Sequence, residues 1–254
     1  MVGPPVHTDA VSGKSLLLVP PEIVVRDEED ACAYLPGRRA RQPLRAPVRP
    51  LTGAEFDARM EAGDRRAGTL LYNQACPACA ACEPIRVDVH AFEPSRSQRR
   101  AHARAAVAVT VQLGPIEVDD ARLALYRAHE HGRGLDRDGR PPVDPIGYES
   151  AFAMSCVDGF EVRYFVADRL AGVAITDRGA RALSAVYTFW DPSHAALSLG
   201  TYSILTQIAL ARRWGLDWLY LGLTIRENHS MAYKVAFMPH ERRIGGTWRR
   251  FARD

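Results

Sequence analysis

The segment Ser184–Pro239 constrains the fold more than any other part of the chain. Ser184–Phe189 has the composition of a strand, which must end before Pro192, because proline lacks the N–H of a strand ladder and restricts the residue before it. A helix is predicted next, with apolar residues near the helical period and Gly215 at its end. Those apolar residues are Ile204, Leu205, Ile208 and Ala211. A second apolar strand, Trp218–Leu223, follows and completes a strand–turn–helix–strand unit. The N-terminus of the helix in such a unit would present free backbone N–H groups to an anion such as a phosphate.

The net charge is only mildly basic, but the arginines are clustered. The 254 residues carry a formal net charge of +3 and are 47% hydrophobic, which suits one large domain or two small ones. Two arginine runs lie in the N-terminal half: Arg38, Arg39, Arg41, Arg45 and Arg49, and then Arg96, Arg99, Arg100 and Arg104. Each run is typical either of a solvated surface or of contacts with nucleic-acid phosphates.

The chain is predicted to be cytoplasmic and to have no membrane segment. No stretch has the order of a secretion signal or the length of a membrane span, and five cysteines do not suit a secreted disulfide framework.

We divide the chain into a proline-containing leader (1–21), a smaller cysteine-containing N-terminal domain (22–113) and a C-terminal domain (114–254). The strand-rich second half, with a helix that crosses after a central strand, indicates an α/β or α+β fold.

Four cysteines are candidate metal ligands. Cys76, Cys79 and Cys82 are spaced by three residues, and Cys32 is the natural fourth. A turn that bends thiolates toward one point suits zinc or an iron–sulfur cluster, both of which usually take four ligands. The alternative is that these small residues only pack a tight turn. Cys156 is expected in the core.

Several motifs occur together and resemble one family. In the C-terminal half they are Ser184-Ala185-Val186-Tyr187, Asp191-Pro192, Ser198-Leu199-Gly200-Thr201-Tyr202, Tyr220-Leu221-Gly222 and Met231-Ala232-Tyr233-Lys234. In the N-terminal half they are Tyr34-Leu35-Pro36-Gly37-Arg38, Cys76–Pro84 and Ser95–Arg100. From Cys32 to Trp248 the chain resembles the arginyl-tRNA–protein transferase family. Its spacing and length are more similar to the bacterial leucyl-tRNA–protein transferases (aspartate/glutamate leucyltransferases) than to the longer eukaryotic members.

The resemblance implies an acetyltransferase-like (GNAT) fold for the C-terminal part. It also implies transfer of an amino acid, leucine in the bacterial group, from aminoacyl-tRNA to an N-terminal Asp or Glu of an acceptor protein, which is thereby marked for degradation. No cofactor is required for this chemistry, because ester aminolysis can depend on positioning and oxyanion stabilisation. The eukaryotic members hold an iron–sulfur cluster with differently paired cysteines, so an iron–sulfur cluster, zinc and no metal all stay open here.

The candidate catalytic residues are Asp191, Lys234 and Tyr187. Lys234, the only lysine besides Lys14, offers a compact ammonium to an oxyanion or a phosphate. Asp191 would orient the attacking amine or accept its proton, or would only cap the turn. Tyr187 would stack on the terminal adenosine of the tRNA or lie in the core.

Substrate contacts are assigned to two groups of residues. The turn before the helix and the segment before Lys234 supply Ser198, Gly200, Thr201, Tyr202 and Tyr233. Arg38 and Arg39 are candidates for reading the acceptor's acidic side chain, because a guanidinium binds a carboxylate through two parallel hydrogen bonds.

Three alternatives to leucyl transfer stay open. Arginyl transfer would need a buried acid in the donor pocket, and the sequence offers Glu83, Asp88, Glu227 and Glu241. A small-molecule N-acetyltransferase could use the same fold, although Ser198–Thr201 has fewer glycines than a typical pyrophosphate loop. A metal-sensing RNA-binding module without catalysis would need only the cysteines and the arginine runs.

Overall fold

A computed structural model describes residues 20–136 and 141–253, so the predicted leader 1–21 falls almost wholly outside the described residues. The strands described are β1 (Glu22–Arg26), β2 (Glu29–Ala31), β3 (Arg39–Arg41), β4 (Leu44–Pro47), β5 (Arg65–Ala67), β6 (Leu70–Tyr72), β7 (Glu83–Asp88), β8 (Val109–Gly114), β9 (Gly159–Val166), β10 (Arg169–Arg178), β11 (Ala182–Trp190), β12 (Trp218–Thr224), β13 (His240–Ile244) and β14 (Thr247–Phe251). The α-helices described are α1 (Gly53–Ala62), α2 (Arg96–Ala108), α3 (Asp120–Gly132), α4 (Pro145–Tyr148), α5 (Leu199–Arg213) and α6 (His229–Ala232). Shorter helical turns occupy Glu149–Ala153, Pro192–Leu197 and Tyr233–Ala236.

The predicted strand–helix–strand unit is confirmed as β11, α5 and β12. The two strands are neighbours in an eight-stranded sheet of order β14-β13-β7-β12-β11-β10-β9-β8, and they run parallel, whereas the other pairs in this sheet are antiparallel. A parallel pair needs a crossover between its strands, and α5 supplies it. Gly215 follows the helix with a φ of +70°, a conformation that glycine adopts without strain.

Helices cover both faces of this sheet. In β10, Val173 and Ile175 pack with Leu123 of α3, whereas Ala174 between them packs with Leu199 of α5. Alternate residues of a strand point to opposite faces, so the apolar residues of β10 pack into two hydrophobic cores, one on each face of the sheet. This mixed sheet confirms the predicted α/β (α+β) class.

The N-terminal residues form a four-stranded sheet of order β1-β4-β6-β5 and the hairpin of β2 and β3. The sequence Thr52-Gly53-Ala54-Glu55 predicts a capping box at the start of a helix, and α1 confirms it: Thr52 accepts from the Glu55 N–H, and the Glu55 carboxylate accepts from the Thr52 N–H. Gly63 ends the helix with a φ of +93°. The segment also holds buried ion pairs, such as Arg59 with Glu22 and Arg45 with Asp64.

The large sheet takes strands from both sides of the predicted boundary between residues 113 and 114. β7 lies inside the sheet, between β12 and β13, and β8 forms one edge. The two predicted parts therefore share one sheet, and their division into separate domains stays a prediction. Within the part of the chain that the structure describes, no helix is both long and apolar enough to cross a membrane.

Candidate active site

The parallel strands β11 and β12 separate toward their carboxyl ends. Ala182–Ser184 pairs with Trp218–Tyr220, and beyond those residues β11 continues to Trp190 and β12 to Thr224 without pairing to each other. β12 also shifts its register against β7 between Tyr220 and Gly222. Open α/β sheets bind ligands outside the carboxyl ends of their strands. The opening between β11 and β12 is therefore the candidate active site.

A cavity of about 400 Å3 lies between the N-terminal ends of α2 and α5. We call it the basic cavity, because Arg100 and Arg104 of α2 line it together with Ser198 and Thr201. Arg104 Nη2 donates to Ser198 Oγ over 3.1 Å, which holds the guanidinium at the start of α5. No side chain caps that helix end. Two guanidinium groups beside two helix N-termini favour an anion such as a phosphodiester.

The structure brings three of the predicted substrate residues together at the basic cavity and turns two away from it. Ser198, Thr201 and Tyr233 line the cavity, and Tyr233 is 49% exposed, so its ring is available for stacking. Gly200 packs against Trp190, since a Cβ at this position would lie 3.1 Å from the Trp190 Cη2. Tyr202 is 6% exposed and packs in the core, because the helical period turns it toward the sheet.

Lys234 lies at the carboxyl end of β12. Its Nζ donates to the Leu223 carbonyl over 2.8 Å and also approaches the Met231 Sδ at 3.9 Å. Burial, and to a lesser extent the nearby Arg65 charge, together lower the pKa of Lys234 from 10.5 to about 7. At neutral pH the amine is therefore present in both charge states, and its position suits either an electrostatic contact or proton transfer.

Tyr187 and Asp191 lie on the other side of the opening, on and just after β11. Tyr187 is half-buried, and its ring packs at 5.7 Å from Tyr126 and 5.6 Å from Phe152, as the core interpretation expects. The Asp191 carboxylate accepts from the Ser193 N–H over 2.9 Å and so caps the turn Pro192–Leu197. The hydrogen bonds from Ser193 lower the pKa of Asp191, which makes its carboxylate a weak base. This geometry supports the capping interpretation of Asp191.

The two candidate readers of the acceptor carboxylate already have partners. Arg39 contacts Glu29 through an ion pair of 3.4 Å and donates to the Glu29 carbonyl over 2.8 Å. Arg38 is exposed, and its Nη1 donates to the Cys79 Sγ over 3.2 Å. Sequence reasoning missed Arg65 of β5, whose charge reaches Lys234. The only sequence signal for it was the glycine of the Tyr220-Leu221-Gly222 motif, against which Arg65 packs.

Comparison with known proteins identifies the family. Sequence models of the arginine-tRNA-protein transferase match this chain in two regions, the N-terminus model over residues 30–100 and the C-terminus model over residues 121–244. The chain belongs to this transferase family. The resemblance seen in the motifs is therefore confirmed, and the protein is an aminoacyltransferase.

Relatives within the family are similar over nearly their whole length. An aspartate/glutamate leucyltransferase of Thiobacillus denitrificans is 40% identical over 221 residues, which are 85% of this chain and 90% of the relative. The enzyme of the same name from Chromobacterium violaceum is 35% identical, with 85% and 89% covered. Among solved structures, FemX aligns with a TM-score of 0.48 at 10% identity, covering 78% of this chain and 68% of FemX.

The four cysteines predicted to bind metal line one cavity of about 960 Å3, which we call the cysteine cavity: Cys32, Cys76, Cys79 and Cys82. Three of the sulfurs accept separate hydrogen bonds. Cys32 accepts from the Leu35 N–H and Cys76 from the Arg41 N–H, both over 3.4 Å, and Cys79 accepts from Arg38. In residues 20–136 and 141–253, no three Cys, His, Asp or Glu side chains converge on a point that could hold a metal ion. The described residues therefore give no support for the predicted zinc or iron–sulfur site, which stays a prediction. Cys156 is buried in the core, as expected.

Proposed function

We propose that this transferase moves leucine from leucyl-tRNA to the N-terminal Asp or Glu of acceptor proteins. The observation that carries the proposal is the opening between β11 and β12, which places Lys234 at one strand end and the basic cavity at the N-terminus of α5. The choice of leucine and of acidic acceptors is supported by the relatives named aspartate/glutamate leucyltransferase, which are 35–40% identical.

The basic cavity is proposed to bind the 3′ end of the tRNA. A phosphodiester would accept from Arg100, Arg104 and the free N–H groups at the start of α5, and an unstacked base would lie against the exposed Tyr233 ring. These contacts depend on backbone and base shape rather than on sequence, which suits an end that all tRNAs share.

The reaction is aminolysis of the ester that joins leucine to the tRNA. The acceptor's α-amine attacks the ester carbonyl carbon, a C–N bond forms, and the carbon–oxygen bond to the ribose breaks. The proton released by the amine ends on the ribose hydroxyl that leaves. An α-amine has a pKa of about 7.7–8.0, so a useful fraction is already nucleophilic at neutral pH.

Lys234 is proposed to stabilise the oxyanion that develops on the ester carbonyl. Its anchor on the Leu223 carbonyl fixes the amine at the strand end, and a preorganised charge of this kind contributes chiefly in the transition state.

An enzyme with this reaction works where aminoacyl-tRNA is present, so a cytoplasmic location is part of the proposal. The product would carry an N-terminal leucine that marks it for degradation.

A mixture of labelled aminoacyl-tRNAs incubated with the protein and an Asp-initiated peptide tests the proposal. Mass spectrometry of the peptide should show added leucine. Added arginine would favour arginyl transfer, the activity in the name of the matching family models. A peptide that gains no residue from any tRNA would contradict aminoacyl transfer altogether.

A further inference from the structure

Arg65 of β5 reaches across to the strand end that carries Lys234. Its guanidinium lies flat against Gly222 of β12, since a Cβ at that position would lie 2.7 Å from the Arg65 Cζ. Gly222 has a φ of +79° and stands where β12 shifts its register against β7. Only glycine meets both requirements without strain, so this part of the motif Tyr220-Leu221-Gly222 makes room for the guanidinium.

Arg65 is half-buried and has no counterion among the described residues. Its Nη1 is buried and has no hydrogen-bond partner, and no carboxylate in residues 20–136 and 141–253 pairs with it. The buried arginines elsewhere each contact an acid. Those pairs are Arg59 with Glu22, Arg66 with Asp177, Arg86 with Glu241, and Arg122 with Glu161. Arg65 is only half-buried, but burying even its Nη1 without a partner carries a cost, so the unpartnered atom indicates an anionic ligand.

The second cation beside Arg65 strengthens this indication. Lys234 donates only to a carbonyl and approaches a thioether, and the Arg65 charge is close enough to disfavour its protonated form. Two neighbouring cations repel each other unless an anion lies between or beside them. The region around Arg65 and Lys234 is therefore a positive centre that the described chain does not neutralise.

We propose that Arg65 binds the side-chain carboxylate of the acceptor's N-terminal Asp or Glu. This inference rests on the proposed function. In an acceptor, the carboxylate and the attacking α-amine belong to the same residue, so the group that reads the carboxylate must lie next to the group that serves the ester. Arg65 meets this condition because it packs on Gly222, and the carbonyl of the next residue, Leu223, anchors Lys234. Arg38 and Arg39 are instead engaged with Cys79 and Glu29.

The geometry favours a carboxylate over a tRNA phosphate as the ligand of Arg65. A guanidinium binds either a carboxylate or a phosphate through two parallel hydrogen bonds, so its surroundings decide between the two. The basic cavity already offers two arginines and two helix ends to phosphate. Tyr34 and Cys82, whose pKa values respond to the Arg65 charge, line the cysteine cavity. The acceptor chain would therefore reach Arg65 from the cysteine cavity.

The test compares Arg65→Gln, Arg65→Lys and wild type in transfer to peptides that differ only in an initial Asp or Asn. We expect Arg65→Gln to lower the Asp-over-Asn ratio of kcat/KM roughly 10- to 100-fold, the value of one charge-assisted bidentate contact. Arg65→Lys should keep part of the ratio. The rate with the Asn peptide reports any effect of the variant on Lys234 or on the fold, and dividing by it leaves the part that depends on the carboxylate. Arg181→Gln, which removes an exposed arginine paired with Asp217, is the matched control.

Two outcomes would overturn the inference, and a third would overturn the proposed function instead. An unchanged Asp-over-Asn ratio in Arg65→Gln would exclude Arg65 as the reader, and the same loss in Arg39→Gln instead would restore the first candidate. A weaker affinity for aminoacyl-tRNA with an unchanged ratio would assign Arg65 to phosphate. If wild type transfers nothing to any peptide, the proposed function fails. Calorimetric binding of the Asp and Asn peptides to the protein alone then still decides whether Arg65 binds the carboxylate.

Discussion

At the scale of single residues, the environment of Lys234 departs most from what a lysine ordinarily has. It is half-buried, lacks a carboxylate partner among the described residues and is held by the Leu223 carbonyl at the end of β12. A surface lysine would show none of these features. The structure therefore supports the functional interpretation of Lys234. It supports the structural interpretation of Asp191, because the Asp191 carboxylate accepts from the Ser193 N–H and caps the turn that follows.

Replacing Lys234 with alanine should lower kcat at saturating leucyl-tRNA by about 10²–10³, because an oxyanion contact acts chiefly in the transition state. Lys234→Arg should restore little, since a planar guanidinium does not replace a compact ammonium beside Arg65. Single-turnover transfer to an Asp-initiated peptide measures both. If Lys234→Ala instead weakened tRNA affinity and left kcat intact, Lys234 would be a phosphate contact.

The lowered pKa of Lys234 predicts a pH-dependent effect on stability. Below pH 7 the amine is charged in both the folded and the unfolded state, and burial of the charge opposes folding. Between about pH 7 and pH 10.5 only the unfolded state keeps the proton, so the free energy of unfolding rises with pH over this window. Lys234→Met removes this contribution, and its Tm should exceed that of wild type by more at pH 6 than at pH 9. Thermal unfolding at the two pH values measures the gap, and an equal gap would show that the pKa is not lowered.

At the scale of elements, α2 and α5 act together. α2 comes from the N-terminal half, and its Gln98 Nε2 donates to the Ala236 carbonyl over 3.2 Å, which joins it to the turn that carries Lys234. Arg104 joins the same helix to Ser198. The second arginine run is therefore divided by the helical period into residues that face the basic cavity and residues that do not.

Arg100→Gln and Arg104→Gln should each weaken the affinity for leucyl-tRNA and lower the slope of log K against log salt by roughly one unit, as expected for the loss of one phosphate contact. Arg99→Gln is the matched control, because Arg99 lies on the same helix, donates to the Pro94 carbonyl and does not line the cavity. Filter binding across a salt series gives both quantities. Equal effects in all three variants would indicate a diffuse surface charge and not a defined site.

At the scale of the whole molecule, the sheet ties the two halves of the sequence together. β7 pairs with both β12 and β13, and its residues Ile85 and Val87 are fully buried in the core beneath α5. Without β7, the inner edges of β12 and β13 and a large apolar surface would be exposed to water.

A fragment of residues 114–254 is therefore expected not to fold alone. It should lack a cooperative thermal transition by circular dichroism and should bind a dye for exposed apolar surface, whereas the full chain should unfold cooperatively. A fragment that unfolds cooperatively would instead support the predicted division at residue 113 as a boundary between independent domains.

The sequence by itself determined what depends on local chemistry. The helical period and Gly215 predicted α5, the box Thr52–Glu55 predicted α1, and Pro192 placed the end of β11 to within a residue. The motifs identified the family, because residue types at fixed spacing persist where backbone geometry requires them. They also named Lys234, Ser198, Thr201 and Tyr233, which the structure places around one opening.

Only the tertiary structure decided which charges are free. Arg38, Arg39 and Arg65 look alike in sequence, but an ion pair with Glu29, a contact with Cys79 and an unpartnered position beside Gly222 distinguish them. The cysteines follow the same rule: their spacing suits a metal, but in the described residues the sulfurs of Cys32 and Cys76 accept separate backbone hydrogen bonds and no metal-binding group is formed. Whether a polar group binds a ligand depends on which partners the fold brings within about 3 Å of it, and those partners lie far away in the sequence.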